Sequence, residues 1–169
     1  MRRILPLGLL ALTTVVFQVA FMPHLRLFGV VPDLGLVLAI AVAYHDDAET
    51  AAIVGFVTGL GFDLFLRTPV GASALAYAVT GYLTGVIQAG LIRSSRWLPL
   101  ALGGLGGFVG GLMFVGIAIL AGTDALIRVD TLSLVARAAV YDALVAMVVF
   151  PLVDRFVRTR VAPPVPWRS

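Results

Sequence analysis

Four ionisable side chains stand inside otherwise apolar stretches: Asp33, Asp63, Arg137 and Asp142. A charge placed in lipid is costly, so each needs a partner or a task. Asp63 follows Ala51, Gly55 and Gly59 at four-residue spacing, which sets it on a face of small residues turned toward protein. Asp33 opens the second apolar stretch, and Arg137 lies about one turn into the last. An Asp63–Arg137 or Asp33–Arg137 pair tying helices together is the expected arrangement. Asp142 falls near the middle of the last stretch and, at about 100° per residue, points roughly 140° away from Arg137. Thr80, Thr84 or Gln88 are its expected hydrogen-bond donors, with protonation as the alternative. A lone mid-membrane carboxylate would also suit a proton or cation carrier.

The run His45-Asp46-Asp47-Ala48-Glu49 looks like an acidic metal cluster. Asp46 and Glu49, however, have the spacing of a capping box at a helix start, where negative charge also meets the helix dipole. The only other histidine, His24, belongs to a different connection. Ser73 has no histidine on a facing helix, and neither an HExxH zinc motif nor a phosphate-binding glycine loop is present. Zero cysteines exclude disulfides and thiolate chemistry. These residues point to no catalytic, cofactor-binding or metal site.

The elements that must position them are six apolar stretches: Ile4–Met22, Leu27–Tyr44, Ala51–Leu66, Val70–Ile92, Trp97–Ala121 and Leu132–Val153. Several reach the roughly 20 residues that cross a hydrocarbon core of about 30 Å. With 60% hydrophobic and 12% charged residues and a mean hydropathy of +1.05, the chain carries too much apolar surface for a water-soluble domain. The expected fold is an all-α, six-helix membrane bundle over residues 1–154, followed by a short basic, proline-rich cytoplasmic tail at 155–169. The segment after Met1-Arg2-Arg3 is read as a retained first helix rather than a cleaved signal, since no clear small-x-small site follows it.

All twelve basic residues are arginines. With six spans and a cytoplasmic N-terminus, Arg2, Arg3, Arg93, Arg96, Arg155, Arg158, Arg160 and Arg168 fall inside. Arg26, Arg67 and Arg128 fall outside, and Arg137 lies within the last helix. That bias favours both termini inside and explains the net charge of +3 without nucleic acid. The second stretch is the weak one. Pro32 interrupts it, and Asp33–Tyr44 would rise only about 18 Å at 1.5 Å per residue. Two arrangements remain, a kinked span starting near Leu27 or a short helix whose irregular lead-in is shielded by other helices; the second, still crossing, is preferred.

Helices in lipid associate through close backbone approach and buried polar contacts. In the fourth stretch Ala72, Ala76, Thr80 and Thr84 lie beside Ser73, Tyr77, Gly81 and Gly85. The fifth carries one ladder of Gly103, Gly107 and Gly111 and another of Gly106 and Gly110. Thr68-Pro69, with Gly71 shortly after, suits a helix start. Arg155, Arg158 and Arg160 suit a cytoplasmic stop that also attracts anionic lipid. The fifth helix is the foremost candidate for contact with another chain.

Pro32-Asp33-Leu34 opens an apolar stretch; then come Gly55-Phe56-Val57-Thr58-Gly59-Leu60-Gly61-Phe62-Asp63-Leu64, Thr68-Pro69-Val70-Gly71-Ala72-Ser73-Ala74-Leu75 and Gly81-Tyr82-Leu83-Thr84-Gly85. In these motifs, covering residues 32 to 85, the chain resembles the MreD family of bacterial rod-shape-determining membrane proteins. Pro32, Asp33, Gly59, Asp63, Pro69 and Gly71 carry the pattern. The glycine-rich fifth helix and Arg67 depart from it. The resemblance implies a scaffold without catalysis in the bacterial plasma membrane, serving the cell-wall elongation machinery. Its implied partner is an MreC-like bitopic protein, and through it MreB-like filaments and a RodA-type glycosyltransferase with its transpeptidase. It also implies a fold similar to the substrate-binding subunits of energy-coupling-factor transporters, so a transport or solute-binding subunit is the alternative.

Overall fold

The computed structural model describes residues 4–26, 29–65, 69–88, 90, 97–123 and 130–158. Arg2, Arg3, Arg67, Arg93, Arg96, Arg128, Arg160 and Arg168 lie outside the described residues, as do Thr68 and the tail beyond Arg158. The described residues form six α-helices: α1 (Ile4–Ala20), α2 (Leu34–His45), α3 (Ala48–Asp63), α4 (Ala72–Gln88), α5 (Leu98–Leu120) and α6 (Thr131–Arg158). A single 3-10 turn, Met22–Leu25, follows α1. The stretches Leu98–Leu120 and Thr131–Phe156 are long and apolar enough to cross a membrane. α1 and α2 are shorter apolar helices, and α6 runs through Pro151 to Arg158.

Local chemistry sets the boundaries. Asp33 caps α2, its carboxylate accepting the Leu36 N–H at 3.1 Å directly after Pro32. The Asp46 N–H closes the other end on Val42 O at 2.8 Å. The cap of α3 is therefore Asp47, which accepts the Thr50 N–H at 2.7 Å. The expected capping box at Asp46 and Glu49 is displaced by one residue, because the backbone of Asp46 still belongs to the end of α2.

Burial runs opposite to that of a soluble protein. Leu34 to Ala43 are all buried, so α2 is a central strut with no outward face. The large apolar residues of the surrounding helices point outward, among them Leu9, Ile53, Val86, Leu105 and Leu144. Contacts fix the directions of the helices. Gly55 meets Tyr77 and Gly85 meets Ala48, so α3 and α4 are antiparallel. Gly103 meets Ala146 while Gly111 meets Val135, so α5 and α6 are antiparallel as well. Gly106 against Ile40 and Gly110 against Leu36 set α5 against α2 in the same sense. α2 and α6 run parallel, joined at Asp33–Asp142 and again at His45–Asp154. Odd-numbered helices thus point one way and even-numbered helices the other. The start of α1 and the end of α6 share one end of the bundle.

Candidate functional site

Among the polar side chains buried in this bundle, Gln18, Asp63 and Asp142 gather at two joints, and both joints bind main chain. The first is the lead-in to α2. Residues 31–33 are not helical, so their N–H and C=O groups need partners that lipid cannot supply. Gln18 of α1 provides two: its Nε2 donates to Pro32 O at 3.0 Å and its Oε1 accepts from Leu34 N at 2.9 Å. Asp142 of α6 provides a third, its Oδ1 accepting the Asp33 N–H at 2.7 Å. The Asp33 side chain caps the helix with Oδ1, and its Oδ2 accepts from the Tyr77 hydroxyl of α4. α1, α4 and α6 therefore converge on three consecutive residues, 32 to 34. This is the shielded lead-in expected from Pro32, and the helix beyond it has 12 residues.

The second joint is Asp63. Its Oδ2 accepts from Gly71 N at 2.8 Å and Ala74 N at 3.3 Å, and its Oδ1 from Ser73 N at 3.2 Å. These are among the first-turn donors that any helix leaves unsatisfied, so Asp63 caps α4 from the end of α3. Pro69 O adds a turn bond to Ala72 N at 3.1 Å, and Gly71 adopts φ of +100°, where a side chain would be strained. Asp63 is only 1% exposed.

Two expected pairings are corrected. Arg137 reaches neither Asp63 nor Asp33; on an exposed face of α6, its Nε bonds to Ser133 O at 3.1 Å and its Nη2 to Ser133 Oγ at 3.0 Å. Both carboxylates instead take backbone N–H groups, which supply the donors a buried carboxylate needs. Asp142 is not served by Thr80, Thr84 or Gln88. Thr84 bonds back to Thr80 O at 2.7 Å, and Gln88 Nε2 donates to Tyr44 O at 3.0 Å, toward the far end of α2. Gln18, which no sequence pattern singled out, is central to the first joint. Its one signal is a lone amide among Val15, Val16, Phe17, Val19 and Ala20 at the end of α1.

The small residues complete the joints. Ala51, Gly55, Gly59 and Asp63 all lie on α4, where a Cβ on Gly59 would stand 2.6 Å from Ala74 Cα. Gly103, Gly107 and Gly111 lie on α6, and Gly107 packs on the Asp142 carboxylate. Gly106 and Gly110 lie on α2. Both ladders of α5 are thus used within the chain, so the glycine-lined face expected to meet a partner is turned inward. His45 Nδ1 pairs with Asp154 Oδ1 at 3.2 Å, beside the rings of Tyr44 and Phe150. Among the described residues, no three of His, Asp and Glu converge as a metal site would require.

A family model described as rod shape-determining protein MreD matches residues 1–160. No curated protein and no solved structure matches the chain.

Proposed function

The chain belongs to the MreD family of rod shape-determining proteins, and from that membership we propose that it is a non-catalytic, six-pass scaffold of the cell-wall elongation machinery. One observation carries the reading: Asp33, Asp63, Asp142 and Gln18 direct their side chains at the chain's own backbone. A site for turnover needs polar groups free to meet a substrate, whereas these groups act as pins. The alternating helix directions support six crossings, and the arginine bias supports both termini in the cytoplasm. In this reading the short α2 crosses because its lead-in is sealed by protein rather than by lipid.

The partner we propose is an MreC-like bitopic protein, which links the scaffold to MreB-like filaments and to a RodA-type glycosyltransferase with its transpeptidase in the bacterial plasma membrane. The test is affinity purification of the tagged full chain from detergent-solubilised or crosslinked membranes. Recovery of such a bitopic partner, with cells rounding when the chain is depleted, is the expected outcome. Rod-shaped growth without the chain, or a purified chain with no bitopic companion, refutes it. A solute-binding subunit on the six-helix plan of energy-coupling-factor transporters would instead gain thermal stability from a vitamin or small cation.

A further inference from the structure

Within the six helices, every glycine but two would bring its Cβ within 4 Å of a neighbouring element; the exceptions are Gly8 and Gly116. A mid-helix glycine costs about 1 kcal/mol relative to alanine. Elsewhere in the bundle close packing offsets that cost, but Gly8 returns nothing inside the chain. Gly8 also borders a cavity. Between the first halves of α1 and α3 runs an apolar groove of about 300 Å³. Gly8 and Ala11 stand on one side, Ile53 and Val57 on the other, and Thr50 with Asp46 closes one end. α1 and α3 are parallel, Val15 meeting Gly61 as Gly8 and Ala11 face Ile53 and Val57, so the groove lies lengthwise along the bundle.

Among the described residues the closed end is acidic. Asp46, Asp47 and Glu49 fall within four residues, and no arginine occurs between Arg26 and Arg67. Asp47 and Glu49, next to Asp46 in sequence, are exposed. In the topology proposed above this rim is cytoplasmic, where other short segments carry an excess of positive charge. A helix that crosses once from the cytoplasm brings Lys or Arg to that depth. Its apolar body would fill the notch at Gly8 while its basic flank met the rim.

We propose that the α1–α3 groove seats a single-pass transmembrane helix bearing a basic cytoplasmic flank. The assignment rests on the scaffold reading and names the surface it uses. A phospholipid tail would suit the walls, but its anionic headgroup would face the acidic rim.

The test places a photo-crosslinking residue in the full-length chain, in native membranes, at Ile53 or Val57, and for comparison at Leu105 or Leu144 on the faces of α5 and α6. A single-pass protein with a basic flank is expected from the groove positions and not from the others. Gly8→Leu should reduce that adduct about tenfold, the size of one good interhelical packing contact, while leaving the melting temperature unchanged. Glu49→Lys should reduce it too, more so at low salt. Adducts with lipid alone, or with a second copy of the chain, overturn the groove assignment. Capture of the single-pass protein only from α5 or α6 overturns it while leaving the scaffold reading intact. Failure to capture or co-purify any single-pass protein, from any position, refutes the scaffold reading itself.

Discussion

Asp63→Ala tests the second joint most directly. The substitution removes the acceptor of three backbone N–H groups at the start of α4. An N-cap alone is worth about 1 kcal/mol, and each buried donor left without a partner costs about 1–3 kcal/mol. With Gly71 only half-buried and the two longer bonds weaker, the expected loss is about 4 kcal/mol. For a domain of this size that lowers the melting temperature by about 8–16 °C. Asp63→Asn keeps one acceptor oxygen and should lose less than half as much. Arg137→Ala, combined with Asp63→Ala in a double-mutant cycle, should add with a coupling below about 0.5 kcal/mol, because the two side chains share no contact. Thermal unfolding in a mild detergent, followed by size-exclusion fluorescence, reads the parent and all four variants. A melting temperature for Asp63→Ala within 2 °C of the parent, or strong coupling to Arg137, would refute the capping account.

Gly59→Ala should destabilise by about 1–3 kcal/mol through forced separation of α3 and α4, whereas Gly116→Ala, with open space beside it, should be neutral or stabilise by up to about 1 kcal/mol; the same detergent melts compare them. Asp142→Leu leaves the Asp33 N–H without its acceptor and should cost about 1–3 kcal/mol, with Asp142→Asn closer to the parent because it retains an acceptor oxygen. The Thr50 N–H accepted by Asp47 holds that exposed carboxyl below its ordinary pKa. A lowered pKa gives stability that is complete above the ordinary aspartate range and lost as pH falls through the lowered value, below about pH 4. Solvent screening keeps that contribution to a few tenths of a kcal/mol, on the order of an exposed pair, and Asp47→Asn should flatten that part of the acid melting profile.

Much of this arrangement could be read from residues alone, and the limits have physical causes. The four-residue spacing of Ala51, Gly55, Gly59 and Asp63 marks a contact face, because i and i+4 share one side of a helix. Which helix occupies that face is tertiary information, and the ladders of α5 show the difficulty. Their glycines advertise close approach equally to α6, to α2 or to another chain. Pro32 and the short apolar run after it announce an irregular lead-in to α2. The partners that seal it, Gln18 and Asp142, come from 14 to 109 residues away. Pairing by opposite charge suggested Arg137 for the buried carboxylates. Backbone N–H groups won because a helix start already presents a cluster of them, at fixed positions and without side-chain entropy to lose.

The bond from Asp33 to Asp142 has a consequence for how the molecule is made. Its two ends are separated by 109 residues, so the acceptor that seals the head of α2 is synthesised long after α2 itself. Until α6 inserts, the Asp33 N–H must rely on water or the insertion machinery for its hydrogen bond. The joint is therefore completed only once α6 has been made, and a nascent chain stalled before α6 is the form that quality control should meet most often.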